Sequence, residues 1–188
     1  MAFQAIETER LRLRLFRMGD VDDYYRLIYA DPEVMRYLPG GAPRPHVKAV
    51  EAIAYFIGYQ DLHGYSLWAV ERRADGAFLG HCGLVLLPHG GGKVEIAYAI
   101  GRPYWGQGFT TEAAHATLRF GFERLELPAI YALAVPENTA STRVMEKIGM
   151  AYRGLTTEFY EGWELALYRA DRETFRPAPG HYRLIEGD

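Results

Sequence analysis

Apolar and polar positions along this 188-residue chain change period several times, and each change marks an element. Leu11, Leu13 and Leu15 alternate with Arg10, Arg12 and Arg14, the two-residue period of a half-buried strand at an edge or on a solvent-facing side. After Gly19-Asp20, residues Val21, Tyr24, Tyr25, Leu27 and Ile28 recur at helical spacing until Asp31-Pro32 stops them. A short helix over 33–38 follows, then a proline- and glycine-rich loop from Pro39 to Pro45. Val50, Ile53, Ala54 and Ile57 mark an amphipathic helix over 46–62 that ends at His63-Gly64.

The middle of the chain returns to strand period. Runs over 65–70 and 78–87 are joined by Ala74-Asp75-Gly76, a hairpin signal, and 94–100 is a third strand. Ala114, Leu118, Gly121, Phe122 and Leu125 line one face of a helix over 110–125. A strand over 130–135 leads to a helix over 138–148 capped by Gly149, and two strands, about 151–159 and 163–169, flank a Glu161-Gly162 turn. Residues 176–188, with Pro177-Ala178-Pro179-Gly180, read as a mobile tail. The order predicts a mixed α/β chain: an antiparallel meander, then strand-helix-strand-helix-strand.

Composition narrows the function classes. With 49% hydrophobic and 24% charged residues, the chain has an ordinary globular profile, and its length fits one domain over 1–188. Cys82 is the single cysteine and cannot form an intramolecular disulfide; Glu7, Glu9 and Arg10 interrupt any leader-like apolar run. A reducing, cytoplasmic setting is expected. No run approaches the roughly 18 apolar residues of a membrane span. Lys and Arg total 21 against 24 Asp and Glu, which gives no broad positive field for nucleic acid. An anionic ligand must therefore be held by local geometry. The histidines at 46, 63, 81, 89, 115 and 181 show no ligand spacing with a carboxylate or cysteine, so no metal is expected. Cys82 reads as a small buried hydrophobe.

The most informative stretch is Tyr104-Trp105-Gly106-Gln107-Gly108-Phe109-Thr110-Thr111, between a strand and a helix. Glycines let backbone N–H groups converge, and the helix start adds unpaired donors with partial positive charge, so a phosphate fits there. Gly106-x-Gly108 lacks the third glycine of a dinucleotide fingerprint, and a plain turn is equally consistent with it. Gly90-Gly91-Gly92-Lys93 precedes a strand and reads as a hairpin loop.

On 94–100, Glu95, Ala97 and Ala99 share a face, placing one carboxylate beside small residues. Glu95 is either a proton acceptor in a groove or a surface carboxylate. Asn138 suits a helix N-cap, and Ser141 falls on the inward stripe with Val144, Met145 and Ile148. That hydroxyl is either capping chemistry or part of a site.

Taken together, Glu95-Ile96-Ala97-Tyr98, Trp105 to Ala113 and Asn138 to Met150 resemble the GNAT N-acetyltransferases, particularly the branch that acetylates ribosomal-protein N-termini. The resemblance runs from Arg10 to Tyr168. Two positions depart from the family pattern of Arg or Gln, two residues, Gly, one residue, then Gly or Ala: Trp105 replaces the basic or amide residue, and Thr110 stands where Gly or Ala is usual.

The resemblance implies a mostly antiparallel sheet of about seven strands with flanking helices and a V-shaped split between two central parallel strands. It implies acetyl-coenzyme A as donor, its pyrophosphate on the backbone of Gly106, Gln107, Gly108, Phe109, Thr110 and Thr111 beside Trp105. The pantetheine arm would lie between 94–100 and 130–135, near the backbone of Ile100 and the side chain of Asn138. Ser141 is implied as proton donor to the leaving thiolate, Glu95 as general base, and an N–H near 98–100 as oxyanion donor. Deprotonating a lysine at pH 7 costs roughly 4–5 kcal/mol against about 1 kcal/mol for a peptide α-amine, which mildly favours a protein N-terminus over a lysine; a small-molecule amine also fits. Tyr37, Tyr160 and Trp163 are candidate acceptor walls or, equally, homodimer contacts. A non-catalytic acyl-coenzyme A binding module is the alternative reading.

Overall fold

Strands β1 (Phe3–Thr8) and β2 (Leu11–Arg14) open the part of the chain described by the computed structural model, residues 3–187. Helices α1 (Val21–Tyr24), α2 (Pro32–Met35) and α3 (His46–His63) follow, then β3 (Leu67–Arg72), β4 (Phe78–Leu86) and β5 (Val94–Ile100). The second half runs α4 (Phe109–Glu123), β6 (Ala129–Ala134), α5 (Thr139–Lys147), β7 (Ala151–Thr156), β8 (Leu165–Asp171) and β9 (Tyr182–Glu186). All nine strands share one sheet in the order β7-β8-β6-β5-β4-β3-β2-β1-β9. Each of its pairings is antiparallel except that of β5 with β6.

The sheet separates two apolar layers. On one face α4 and α5 cover Leu13, Trp68, Leu84, Ile96 and Ile130. On the other, the N-terminal helices set Phe16, Tyr24, Ile53 and Phe56 over Ala69, Phe78 and Ala99. Alternation along β5 sorts its side chains as the pattern predicts: Ile96, Tyr98 and Ile100 join the first layer, Ala97 and Ala99 the second.

Four expectations are corrected. The sheet has nine strands rather than about seven, and the tail read as mobile contributes one: β9 pairs antiparallel with β1 from Thr8↔Tyr182 to Phe3↔Glu186. The prolines at 177 and 179 lie in the connection between β8, which ends at Asp171, and β9. Of the two places expected for the strand of alternating Leu and Arg, the solvent-facing side is the one found, with Arg12 exposed, since β1 and β3 flank it; Arg14 stays charged there by pairing with Asp20 (2.7 Å) and Glu71 (2.6 Å). The helix after Gly19 widens into a π-turn over Tyr25–Tyr29, with Ala30 N–H donating to Tyr25 O (2.8 Å). Five residues span one such turn, which brings Tyr24 and Tyr29 edge to face at 5.0 Å, a pair that an α-helix would point apart. The short helix expected over 33–38 is Pro32–Met35, started by Asp31, whose carboxylate accepts from Glu33 N–H (2.9 Å).

Among the described residues no helix is long and apolar enough to cross a membrane. Strands β3 and β4 approach so closely at Gly83 that an added Cβ would lie 2.1 Å from Ser66 O and 2.6 Å from Leu67 Cα. Gly83→Ala must therefore push two backbones apart, and urea unfolding should show a loss on the order of 1–3 kcal/mol.

Candidate active site

The site begins where the sheet stops pairing. Strands β5 and β6 are registered at a single position, Glu95↔Tyr131, whereas β5 and β4 pair through seven. Gly101 N–H donates to Leu79 O (2.8 Å) and Leu87 N–H to Lys93 O (2.9 Å). The odd-numbered residues of β5 are thus the ones bonded to β4, and the N–H and C=O groups of Tyr98 and Ile100 point toward β6. Past Glu95 the two strands diverge, so these groups face a gap. One is filled locally: the Trp105 indole N–H donates to Ile100 O (2.6 Å).

A cavity of about 200 Å³ passes through this gap. Because it perforates the sheet, side chains from both faces line it: Glu95 and Ala97 from one, Ile96 and Tyr98 from the other. The turn from β6 into α5 contributes Asn138, Ser141 and Met145, the segment after α2 contributes Tyr37, and the β7–β8 hairpin contributes Tyr160 and Trp163.

Glu95 is only 6% exposed. Burial pushes its carboxyl up to about 7, while a hydrogen bond donated by the Tyr160 hydroxyl pulls the other way. The hairpin aims Tyr160 because its neighbour Phe159 is buried as an anchor, with the Lys93 ammonium 5.1 Å above its ring. Arg44 holds the opposite wall: its guanidinium donates to Pro39 O and its N–H to Tyr29 O (2.9 Å).

On the far side of the gap, the Asn138 side-chain oxygen accepts from Ser141 N–H (3.2 Å), capping α5 and leaving the amide NH₂ outside the cap. The Tyr98 hydroxyl lies 3.1 Å from both the backbone oxygen and the Oγ of Ser141. A carbonyl only accepts, so the phenol proton goes to it and the serine hydroxyl donates to the phenol oxygen. Desolvation raises the Tyr98 pKa well above its ordinary value, keeping that pair neutral.

The glycine loop forms a second, adjoining feature. Gly106 and Gly108 have φ of 72° and 79°, the left-handed region that favours glycine. Glu112 N–H bonds to Gly108 O (3.1 Å), so the N–H groups of Phe109, Thr110 and Thr111 stand at the open end of α4. A Cβ at Gly106 would meet nothing within 4 Å, so the space above the loop is clear. Arg10 clamps the loop from β2's side: it donates to Gln107 O (3.0 Å) and Glu112 (2.7 Å), and its guanidinium lies 4.5 Å over the Phe109 ring. Gln107 is tied back to Pro103 O (3.0 Å). This cradle of oriented N–H donors fits a diphosphate.

Residues 10–151, which hold the parted parallel pair, the glycine cradle and the Asn-capped helix, match the family model described as the Acetyltransferase (GNAT) domain. The chain belongs to the GNAT acetyltransferase family. It is similar to the uncharacterised protein YkkB of Bacillus subtilis, 38% identical over 77% of this chain and 84% of that one. It is also similar to the uncharacterised N-acetyltransferase p20 of Bacillus licheniformis, at 29% identity over 83% and 87%. A GNAT-family acetyltransferase from Bacillus anthracis superposes with a TM-score of 0.78 at 29% identity, covering 90% of this chain and 99% of that one. This GNAT protein is thus an N-acetyltransferase, and the family's donor is acetyl-coenzyme A.

Of the residues expected to form the GNAT site, the cleft brings together Glu95, Ser141, Asn138, Tyr37, Tyr160 and Trp163. Ile100, Trp105, Gly106, Gln107, Gly108, Phe109, Thr110 and Thr111 lie outside its lining, in and beside the cradle. Sequence reasoning gave the Tyr98 hydroxyl no role, although a lone phenol on an otherwise aliphatic strand face was its signal. It also missed the Arg10–Glu112 clamp, a pairing across 102 residues that no local pattern marks. Among the described residues no group of three His, Cys, Asp or Glu side chains is placed to hold a metal ion. Cys82 is buried, its thiol pushed up to about 12 by desolvation.

Glu95 titrates higher in the fold than in the open chain, so the fold is favoured by its proton at low pH and loses that advantage as pH rises through about 7. Glu95→Gln should therefore raise stability at pH 9 by on the order of 1–3 kcal/mol and change it little at pH 4. Thermal unfolding at both pH values checks this. Tyr160→Phe removes a bond that lowers the carboxyl's pKa, and ¹³C titration should find Glu95 higher still.

Proposed function

We propose that this enzyme transfers the acetyl group of acetyl-coenzyme A to a primary amine, either a protein N-terminal α-amine or a small-molecule amine, by direct attack on the thioester. The observation that carries the reading is Glu95, a buried carboxylate at the vertex of the β5–β6 gap that lines the same cavity as Ser141. A carboxyl near 7 lies about one unit below a peptide α-amine and more than three below a lysine, so proton transfer from the α-amine costs about 1 kcal/mol against about 4–5 kcal/mol.

When bound, acetyl-coenzyme A supplies the activated acetyl group. The cradle at 106–111 holds its diphosphate, and the unpaired edge of β5, with the Asn138 amide, takes the extended arm. Glu95 accepts the ammonium proton, directly or through water, and exposes the nitrogen lone pair. As the new C–N bond forms, the Tyr98 N–H faces the carbonyl oxygen where negative charge develops. Ser141 gives its hydroxyl proton to the sulfur as the C–S bond breaks, and Tyr98 replaces that proton from its own hydroxyl. The second proton, shed by the acylated nitrogen as the amide forms, returns through water to the Ser141–Tyr98 pair, and Glu95 releases its own to solvent, so that one proton is set free per turnover.

Free-thiol release with saturating acetyl-coenzyme A and short peptides tests the reading. Glu95→Gln should lower kcat/KM on the order of 10²-fold and abolish the fall in rate below pH 7, and Ser141→Ala should lower kcat by a similar order. Gly108→Ala, strained at φ 79° with its Cβ 3.4 Å from Arg10 Nη2, should weaken acetyl-coenzyme A binding by calorimetry. Tight binding of acetyl-coenzyme A with no amine-dependent thiol release on any acceptor would assign the chain to the binding-module class instead.

A further inference from the structure

The acceptor side of the cavity has an unusual charge inventory. Glu95 is the one charged side chain in its lining, and among the described residues no lysine, arginine or histidine joins it. The remainder of that wall is Tyr37, Leu38, Pro39, Ala97, Tyr160, Trp163 and Leu165, apart from backbone and phenol groups an apolar and aromatic surface. Cations on neighbouring segments are engaged outside it. Lys93 reaches Glu158 (3.7 Å) and the Phe159 ring, and Arg36 reaches Glu33 (4.0 Å) and the Tyr37 ring. The carboxylates of the β7–β8 hairpin, Glu158, Glu161 and Glu164, also lie outside the lining and are exposed.

Three consequences follow from elementary electrostatics. One ammonium can be paired at Glu95, and aromatic faces around it are favourable to a cation. A second ammonium on the same acceptor would be pressed against Leu38, Pro39 and Leu165 with no counter-charge, and desolvating an unpaired charge is costly. A carboxylate next to the reacting amine would approach Glu95 with no cation to accept it, a like-charge contact in a low-dielectric site.

Building on the acetyl-transfer reading above, we propose that the acceptor is a monoamine on an apolar or aromatic body, with no second cation and no carboxylate adjoining the amine. Two sources carry that chemistry: a peptide N-terminus whose first side chain is large and apolar, and a free arylalkylamine. Polyamines, aminoglycosides and free amino acids are disfavoured by the same wall.

The test is a set of kcat/KM values for the intact enzyme by free-thiol release, with every variant matched for fold by circular dichroism. Acceptors are amidated peptides beginning with Phe, Leu, Ser, Asp or Lys, together with 2-phenylethylamine, spermidine and kanamycin. Peptides beginning with Phe or Leu, or 2-phenylethylamine, should exceed spermidine and the Lys- and Asp-initiated peptides by about tenfold or more; which of the first group leads distinguishes the peptide source from the free amine. Trp163→Glu, which adds a second carboxylate at the rim, should narrow the gap between 2-phenylethylamine and spermidine. Spermidine, kanamycin or the Lys peptide equalling or exceeding the apolar acceptors would overturn the proposal, as would a Ser peptide equalling the Phe and Leu peptides. Turnover on none of them overturns it too. In that case a rise in Tm with acetyl-coenzyme A leaves the donor site intact and confines the failure to the acceptor assignment, whereas no rise removes the parent reading as well.

Discussion

The parting of β5 from β6 is the constraint on which the rest of the molecule depends. A sheet interior ordinarily satisfies every backbone donor and acceptor, and leaving several unmet is costly. Here the parallel pair holds at Glu95↔Tyr131 and then opens, while β4 and β8 keep the outer sides of both strands fully paired. The opening therefore cannot close by sliding either strand, since each is fixed by its other neighbour. What results is a rigid slot lined by directional backbone groups, the kind of surface that an extended ligand with amide groups of its own can complete as a missing strand would.

Around that slot the protein divides its chemistry between the two faces of one sheet. Glu95 projects toward the layer of N-terminal helices, where the hairpin residue Tyr160 covers it; Ser141 and Tyr98 lie on the side of α4 and α5. In the proposed reaction the base and the acid, separated by a sheet, are kept from neutralising each other directly, yet both line the one cavity. Their environments differ as well. Glu95 is held near neutrality by burial and stays titratable, whereas the Ser141–Tyr98 pair is neutral and linked by hydrogen bonds.

Much of this arrangement was legible in the sequence because it is local. The alternation from Val94 to Ile100 places Glu95 and Tyr98 on opposite faces, the Asn138-x-x-Ser141 spacing fixes a cap, and Gly106-x-Gly108 before an amphipathic run marks a helix start with free donors. What escaped notice is long-range. Nothing near Tyr182 announces that it pairs with Thr8, and Pro177 and Pro179 argue locally for a loose end. Arg10 looks like one solvent-facing member of an alternating strand until the fold sets Glu112 beside it. The π-turn at Tyr25–Tyr29 likewise exists to satisfy an aromatic cluster assembled from Phe16, Phe56 and Phe78, residues outside that helix.

The strand β9 has a consequence for how the molecule assembles. It covers the outer edge of β1, and the partners it joins lie at opposite ends of the described chain, Phe3 with Glu186. During synthesis that edge stays bare until Tyr182–Glu186 has left the ribosome, although β1 through β4 can already form a ladder from strands that follow one another in the chain. The nascent sheet thus carries an exposed, adhesive border while the intervening elements are made, with Glu7 as a charged guard on it, and a segment more than 170 residues downstream is the one that seals it.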